Sequence, residues 1–415
     1  MEKFTFDSTS TRIQLKNGIL EKCVYGQDLE TVFREFRGAW AIGTSRGRVD
    51  RALSAIETSG RLGPGRPGKP FTIKAEKIED DLKVKLDFLK WVASVMSGLG
   101  VKSDIVFMDA FSRQEFEADG RVVVQEIPMT KLVVTAIASR NGRMETATEV
   151  VAGLGGWEVA GQLTEEKIAG NAQLAKDLLD AKAPKGGRQK VVVDPDFAGV
   201  LAHEAFGHAA EADHVVAGAS ILEGKIGRRV ASPLVSIVDD ATFSGGFGTY
   251  GFDRDGVAAQ RNVIVDGGVL KTYLHNRQSA GQLGAESTGN CRGRNGQIRM
   301  SNTFFSPGEL DFEEVLEDLG NGYLLIGSKG GTTSPATGFF NFTAKYGRQV
   351  VNGELGDVVR GASLLGSTLE TLMKVDAVSK DFRLRPGSCG KGGEWVRVSV
   401  GGPYLKTEAT IGGQT

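Results

Sequence analysis

The chain has 415 residues with 50 basic and 51 acidic side chains, a net charge of −1, so it lacks the basic face that nucleic-acid binding requires. Local basic clusters (Arg46, Arg48 and Arg51, then Arg61, Arg66 and Lys69) read as solvated surface. No run is long enough for a membrane-spanning helix, MEKFTFDSTSTRIQLKNG lacks the apolar core of a signal peptide, and Cys23, Cys291 and Cys389 suggest no disulfide framework; the expectation is a cytoplasmic protein without a membrane partner.

The length points to two or three domains. The 57 glycines, about twice the usual share, crowd the second half of the chain. There they separate short β-branched and aromatic segments, as turns and bulges of a β-rich domain do.

In chain order, the run from Arg48 to Thr58 is helix-like, and the loop LGPGRPGKP follows it. Ile78, Leu82, Leu86, Leu89 and Val92 then recur at helical steps, with Glu79, Asp80, Lys83, Lys85 and Asp87 on the other face. The period next changes to two. DIVFMDAF, RQEFEAD, RVVVQEI, KLVVTAIAS and ETATEVV, with turns at Asp119-Gly120 and Asn141-Gly142, predict a meander of four or five antiparallel strands. A second helix is expected from Thr164, its N-cap, to Lys182. The loop APKGGR then divides an N-terminal α+β domain (1–185) from a C-terminal β-rich domain (186–415).

Beyond that boundary QKVVV reads as a buried strand. Asp194-Pro195 supplies an N-cap with proline at the first helical position, and the run HEAFGH lies on the helix so started. LVSIVDD, the hairpin NVIVDGGVLKTYL, YLLIGS, TGFFNFTAK and EWVRVSV are predicted strands, and STLETLMKVDAVSKDF is a predicted helix.

Histidine is scarce: there are four, and His203, His208 and His214 fall within twelve positions. Imidazole is the commonest zinc-ligating nitrogen, and Glu204 beside His203 can take a proton from a water that zinc has acidified. The spacing is unusual. Zinc-protease helices place two histidines four apart, on one face, whereas here they are five apart. Five steps separate side chains by roughly 140°, against roughly 40° for four. For His203 and His208 to share a metal, the helix must widen or break between them, and Gly207 is the residue expected to permit it. A catalytic zinc also needs a third protein ligand. His214, Glu211, Asp213 and the glycine-flanked Cys389 are all candidates on residue chemistry.

HEAFGHAAEAD, the following VDDATFSGGFGTYGFDRDGVAAQRNVIVDGGVLKTYL, then STGNCRGRNGQIRMSNTFFSPG, KGGTTSPATGFFNFTAKYG and the terminal GSCGKGG with EWVRVSVGGPYL resemble the TldD/PmbA family of zinc metallopeptidases. GAWAIGTSRGRVDRALSAI resembles the N-terminal domain of that family. The resemblance implies that His203, His208 and Cys389 bind Zn2+, that Glu204 is the catalytic base, and that His214 is a bystander. It implies an α+β fold whose C-terminal domain is β-barrel-like and carries the zinc helix. Because every metal position is kept, it implies the catalytic kind of subunit, working as a homodimer or as a heterodimer with a metal-free PmbA/TldE-like partner.

The expected reaction is hydrolysis of short or unfolded peptides. His214, Tyr250 or a backbone N–H are candidates to stabilise the oxyanion. Gly330, Gly331 and Thr332, after Lys329, are candidate substrate contacts, because a glycine-rich strand edge can accept an extended peptide as one more strand. Those glycines serve equally well as barrel corners. A non-catalytic scaffold subunit and a zinc hydrolase of another amide are the alternative functions.

Overall fold

The computed structural model describes residues 2–36, 40–46, 55–58, 62–75, 81–293 and 296–413. They form two compact units. One comprises the chain up to Leu62, Arg66–Asp180 and Tyr250–Ala258; the other comprises Gly63–Gly65, Ala181–Thr249 and Ala259–Thr415.

The first unit is a large sheet with two helices. Its strands are β1 (Glu2–Lys16), β2 (Ile19–Phe36), β3 (Trp40–Arg46), β4 (Ala55–Thr58), β5 (Phe71–Thr72), β6 (Lys102–Ala118), β7 (Arg121–Arg140) and β8 (Arg143–Leu154). The sheet order is β4-β3-β2-β1-β6-β7-β5, and β8 also pairs with β7. Helices α1 (Leu82–Gly98) and α2 (Glu165–Asp180) bury Leu89, Val92, Met96, Ile168, Ala172 and Leu179 in one apolar cluster with Ile105, Phe107, Leu132 and Val134 of the sheet.

Several expectations change here. The helix expected over Arg48–Thr58 is not formed at its end, because Ala55–Thr58 is a strand paired with β3; residues 48–54 lie outside the described residues. Ladder pairing overrides a weak helical period in a run this short. α1 begins at Leu82 behind an Asp81 N-cap, and the expected start at Ile78 falls outside the described residues. Lys85, expected on the polar face, is buried and paired with Asp109 at 2.6 Å.

The five short meander segments fuse into three long strands, β6, β7 and β8. Pro128 does not break β7. It falls between the β5 ladder, which ends at Glu126, and the β8 ladder, which starts at Met129, so no pairing on that side is lost there. The turns at Asp119-Gly120 and Asn141-Gly142 form as expected, with all four φ values positive. Thr164 accepts a hydrogen bond from the Lys167 N–H at the start of α2, which ends at Asp180, short of Lys182.

The second unit begins with β9 (Gly187–Val193), followed by α3 (Pro195–Val200), a π-helical turn (Leu201–Gly207), α4 (His208–Ala210) and α5 (Ala212–Val216). Strands β10 (Ile237–Asp240), β11 (Arg261–Asp266) and β12 (Val269–Leu270), helix α6 (Arg277–Leu283), strand β13 (Asn302–Phe305) and helix α7 (Phe312–Leu319) come next. Then follow β14 (Gly322–Thr333), β15 (Phe339–Val351), β16 (Glu354–Val359), β17 (Ser363–Ser367), α8 (Thr368–Met373), β18 (Ala377–Val378), β19 (Arg383–Lys391), β20 (Glu394–Gly402) and β21 (Leu405–Gly412). The helix expected over STLETLMKVDAVSKDF is therefore short, and its tail supplies β18, which pairs with β21.

Two sheets organise this unit. In one, β14, β9, β21, β17 and β15 are neighbours in that order, and β14 pairs back onto β15 to close a five-stranded barrel. The other runs β12-β11-β10-β13-β20-β19. The α3–π segment buries Phe197, Leu201, Ala205 and Phe206 in the same apolar cluster as the barrel residues Val191, Leu325, Phe340, Phe342 and Leu364. The architecture is α+β, with a barrel in the C-terminal unit.

Candidate metal centre

The helix that carries the histidines is anchored at its start. Asp194 Oδ1 accepts from the Phe197 N–H at 2.8 Å, capping α3, and from the Gly327 N–H of β14 at 2.9 Å. Pro195 fills the first helical position. Gly199 is held against β20, where a Cβ would lie 2.2 Å from the Gly401 nitrogen.

After α3 the helix takes in one extra residue. The His208 N–H donates to the His203 carbonyl, five positions back, and Leu201–Gly207 is a π-helical turn. The carbonyl of Ala205 within that turn accepts from the Thr368 hydroxyl at 3.1 Å. Gly207 acts differently from the expectation. Its backbone is ordinary right-handed helix, φ −59°, so no glycine conformation widens the turn. Its small size matters instead, since a Cβ there would lie 2.1 Å from Met300 Sδ.

The widened turn brings His203 and His208 together, with ring centroids 5.2 Å apart and planes at 86°. Cys389, near the tip of the β19–β20 hairpin, approaches from a segment 181 residues away, with Sγ 3.5 Å from His208 Nε2. One donor atom from each of His203, His208 and Cys389 lies within 4.8 Å of the others. The hairpin tip is held by Arg299, a fully buried guanidinium that donates to the carbonyls of Cys389 and Glu394.

These residues fit a zinc ion on three counts. First, His203 is 1% exposed, yet among the described residues neither ring nitrogen makes a hydrogen bond of good geometry, and Cys389, another donor of the same set, is the group that interacts with it. Leaving such a group unpaired costs about 1–3 kcal/mol, so the position calls for a ligand. Second, two imidazoles and a thiolate form a donor set that zinc prefers, and tetrahedral zinc would separate nitrogen from sulfur by about 3.6 Å, close to the distance found. Third, burial raises the Cys389 thiol, but the imidazoles of His203 and His208 bring it down to about 5, so sulfur stands ready as thiolate at neutral pH. The same pairing raises His203 against the opposing effect of burial.

Glu204 is half-exposed, its Oε2 3.5 Å from His208 Nε2, beside the donor set and open to solvent. The other predicted positions separate. Glu211 is fully buried and accepts from His208 Nδ1 at 3.0 Å. Burial opposes its charge, yet His208 and Lys391 hold the carboxyl down at about 2. Glu211, Asp213 and His214 also lie close enough to hold an ion, but the Lys391 ammonium already serves that cluster, 2.8 Å from Glu211 and 2.7 Å from Asp213. His214 Nε2 faces Glu211 Oε2 at 3.6 Å, and burial and Lys391 push its pKa down. Tyr250 is buried.

Gly330, Gly331 and Thr332 lie in an exposed stretch of β14. They pair with Thr343, Phe342 and Asn341 of β15 on one side, while the ladder to β9 ends at Leu325. Gly331 also meets a steric demand, since a Cβ there would fall 2.0 Å from the Asn341 carbonyl oxygen. Two site residues escaped the sequence reading, Arg299 and Lys391. Lys391 did carry a signal: two residues past Cys389 on a strand, it shares that residue's face.

The model of the PmbA/TldA metallopeptidase C-terminal domain matches residues 186–413. A metalloprotease of Archaeoglobus fulgidus is 35% identical over 420 residues, covering 98% of each chain. A zinc metalloprotease TldD homolog of Saccharolobus solfataricus is 28% identical over 82% of this chain and 79% of its own. The crystal structure of TldE from Thermococcus kodakarensis shares the fold, with a TM-score of 0.75 at 18% identity over 99% of this chain and 96% of that one. The family model and the named relatives define a metal-dependent hydrolase of peptide bonds. The chain belongs to the PmbA/TldD metallopeptidase family. Among the described residues no helix is long and apolar enough to cross a membrane.

Proposed function

We propose that this protein is a zinc metallopeptidase that binds its ion through His203, His208 and Cys389 and uses Glu204 as general base. The observation that carries the reading is the convergence of three buried donors, one a histidine whose ring nitrogens make no hydrogen bond of good geometry, beside a solvent-open carboxylate. Zinc bound there supplies a Lewis acid that polarises the scissile carbonyl and acidifies the attacking water.

The protein's own residues do the rest. Glu204 takes the water's proton and delivers it to the leaving amine, a role its exposure and position allow. Glu211 accepts a hydrogen bond from His208 Nδ1–H, which fixes the tautomer and leaves the Nε2 lone pair free to bind the ion. An extended, short or unfolded peptide adds to the open side of β14 at Gly330–Thr332, held through its main chain. His214, held neutral near the site, is the candidate donor to the oxyanion.

We further propose that the subunit works as a dimer, with a second copy or with a metal-free subunit of the TldE kind, a fold this chain shares. Cleavage of a peptide library, read by mass spectrometry with and without a chelator, tests the reading. Chelator-sensitive cleavage is expected. Cleavage that survives complete metal removal rules it out, and selective loss of a non-peptide amide would redirect the substrate class.

A further inference from the structure

Cys389 and the two histidines come from segments that share no strand pairing, so something must hold the sulfur at ligand distance from the helix. Lys391 does so. It projects from the same face of β19 as Cys389 and reaches the chain just after His208, where Nζ meets Glu211 Oε2 at 2.8 Å and Asp213 Oδ2 at 2.7 Å. A third contact, at 3.3 Å, goes to the Ile298 carbonyl, next to Arg299. Glu211 Oε2 is the same oxygen that accepts from His208 Nδ1. Hence one carboxylate oxygen joins the lysine of the cysteine strand to the imidazole of the helix.

We infer that Lys391, through Glu211 and Asp213, is a positioning residue that clamps the cysteine strand to the histidine helix and sets the nitrogen–sulfur geometry before metal arrives. The inference rests on the reading of His203, His208 and Cys389 as zinc ligands. Coulomb attraction alone does not explain the arrangement. Glu211 is fully buried and Lys391 mostly so, and burying such a pair costs desolvation that only good geometry offsets. A pair that adds little net stability, and spans the two halves of a donor set, fits a geometric role.

The test measures zinc affinity by competition with a chromogenic chelator, and the absorption spectrum of the cobalt-substituted protein. Wild type is compared with Lys391→Met, Lys391→Arg, Asp213→Asn and Cys389→Ala. Lys391→Met should bind zinc about 10- to 100-fold more weakly, the usual effect of losing a partner outside the ligands themselves, and its thiolate-to-cobalt band should shift or weaken. Lys391→Arg keeps charge and two-carboxylate reach, and should restore most of both. Asp213→Asn, at a part-exposed position where folding is not at stake, should move both readouts in the same direction by less.

Unchanged affinity and spectrum in Lys391→Met and Asp213→Asn would overturn the clamp. If Lys391→Met does not fold, Asp213→Asn decides alone. A different result, in which Cys389→Ala leaves the wild-type cobalt spectrum intact, would strike the ligand assignment itself and not the clamp alone.

Discussion

The backbone N–H of His208 is bonded to the carbonyl of His203 five residues earlier, and this bond turns two side chains that a regular helix would point apart towards one Cys389 sulfur. The extra residue has a cost, since a π turn is rare, and tertiary packing supports it. Met300 occupies the space beside Gly207, and Thr368 satisfies the Ala205 carbonyl.

Gly207→Ala should therefore be destabilising although alanine is the better helix former. The added methyl would overlap Met300 Sδ, and overpacking of this kind costs about 1–3 kcal/mol. Chemical denaturation measures it. A Gly207→Ala/Met300→Ala double variant should lose less than the sum of the two single losses, because the second change removes the clash. Strict additivity would show that Gly207 and Met300 do not contend for space.

Asp194 gives the stability a pH dependence. Burial, then the nearby Asp196, raise its carboxyl to about 6 in the folded chain. The unfolded carboxyl titrates near 4, so between these values the native state holds more protons and stability falls as pH rises, by no more than about 3 kcal/mol. Below about 4 and above about 6 the effect is flat. Asp194→Asn retains an oxygen for the Phe197 and Gly327 N–H groups and should flatten the curve. Urea unfolding of both proteins from pH 4 to 7 checks this; equal slopes would refute the assignment.

Cys389→Ala removes the sulfur and leaves His203 and His208 in place. The variant should fold, since the side chain is small and buried, yet lose its zinc on desalting. Its cobalt form should lack a thiolate charge-transfer band. Full zinc occupancy with no spectral change would exclude sulfur as a ligand.

Much of the site was legible from residue chemistry. The clustered histidines, the neighbouring glutamate and the five-residue spacing required a widened helix, and Leu201–Gly207 is widened. How Gly207 acts is visible only in the fold, because a sequence shows a glycine but not the Met300 sulfur packed against it. Lys391 went unremarked because its partners lie some 180 positions away.

In the fold, Asn-Gly and Asp-Gly turns were readable because their conformation is local. The long strands β1 and β2 were not, because serine, threonine and charged residues dilute their alternation. Closure of the barrel depends on the pairing of β9 with β14 and with β21, contacts distant in sequence that no local pattern encodes.

The most direct test of the central claim sets metal content beside peptide cleavage for wild type and Glu204→Gln. The account predicts one zinc per chain in both proteins. It also predicts cleavage by wild type, with a loss of about 100-fold or more in kcat for the variant, as expected when a general base is removed. A Glu204→Gln protein that holds zinc and cleaves at the native rate would contradict it.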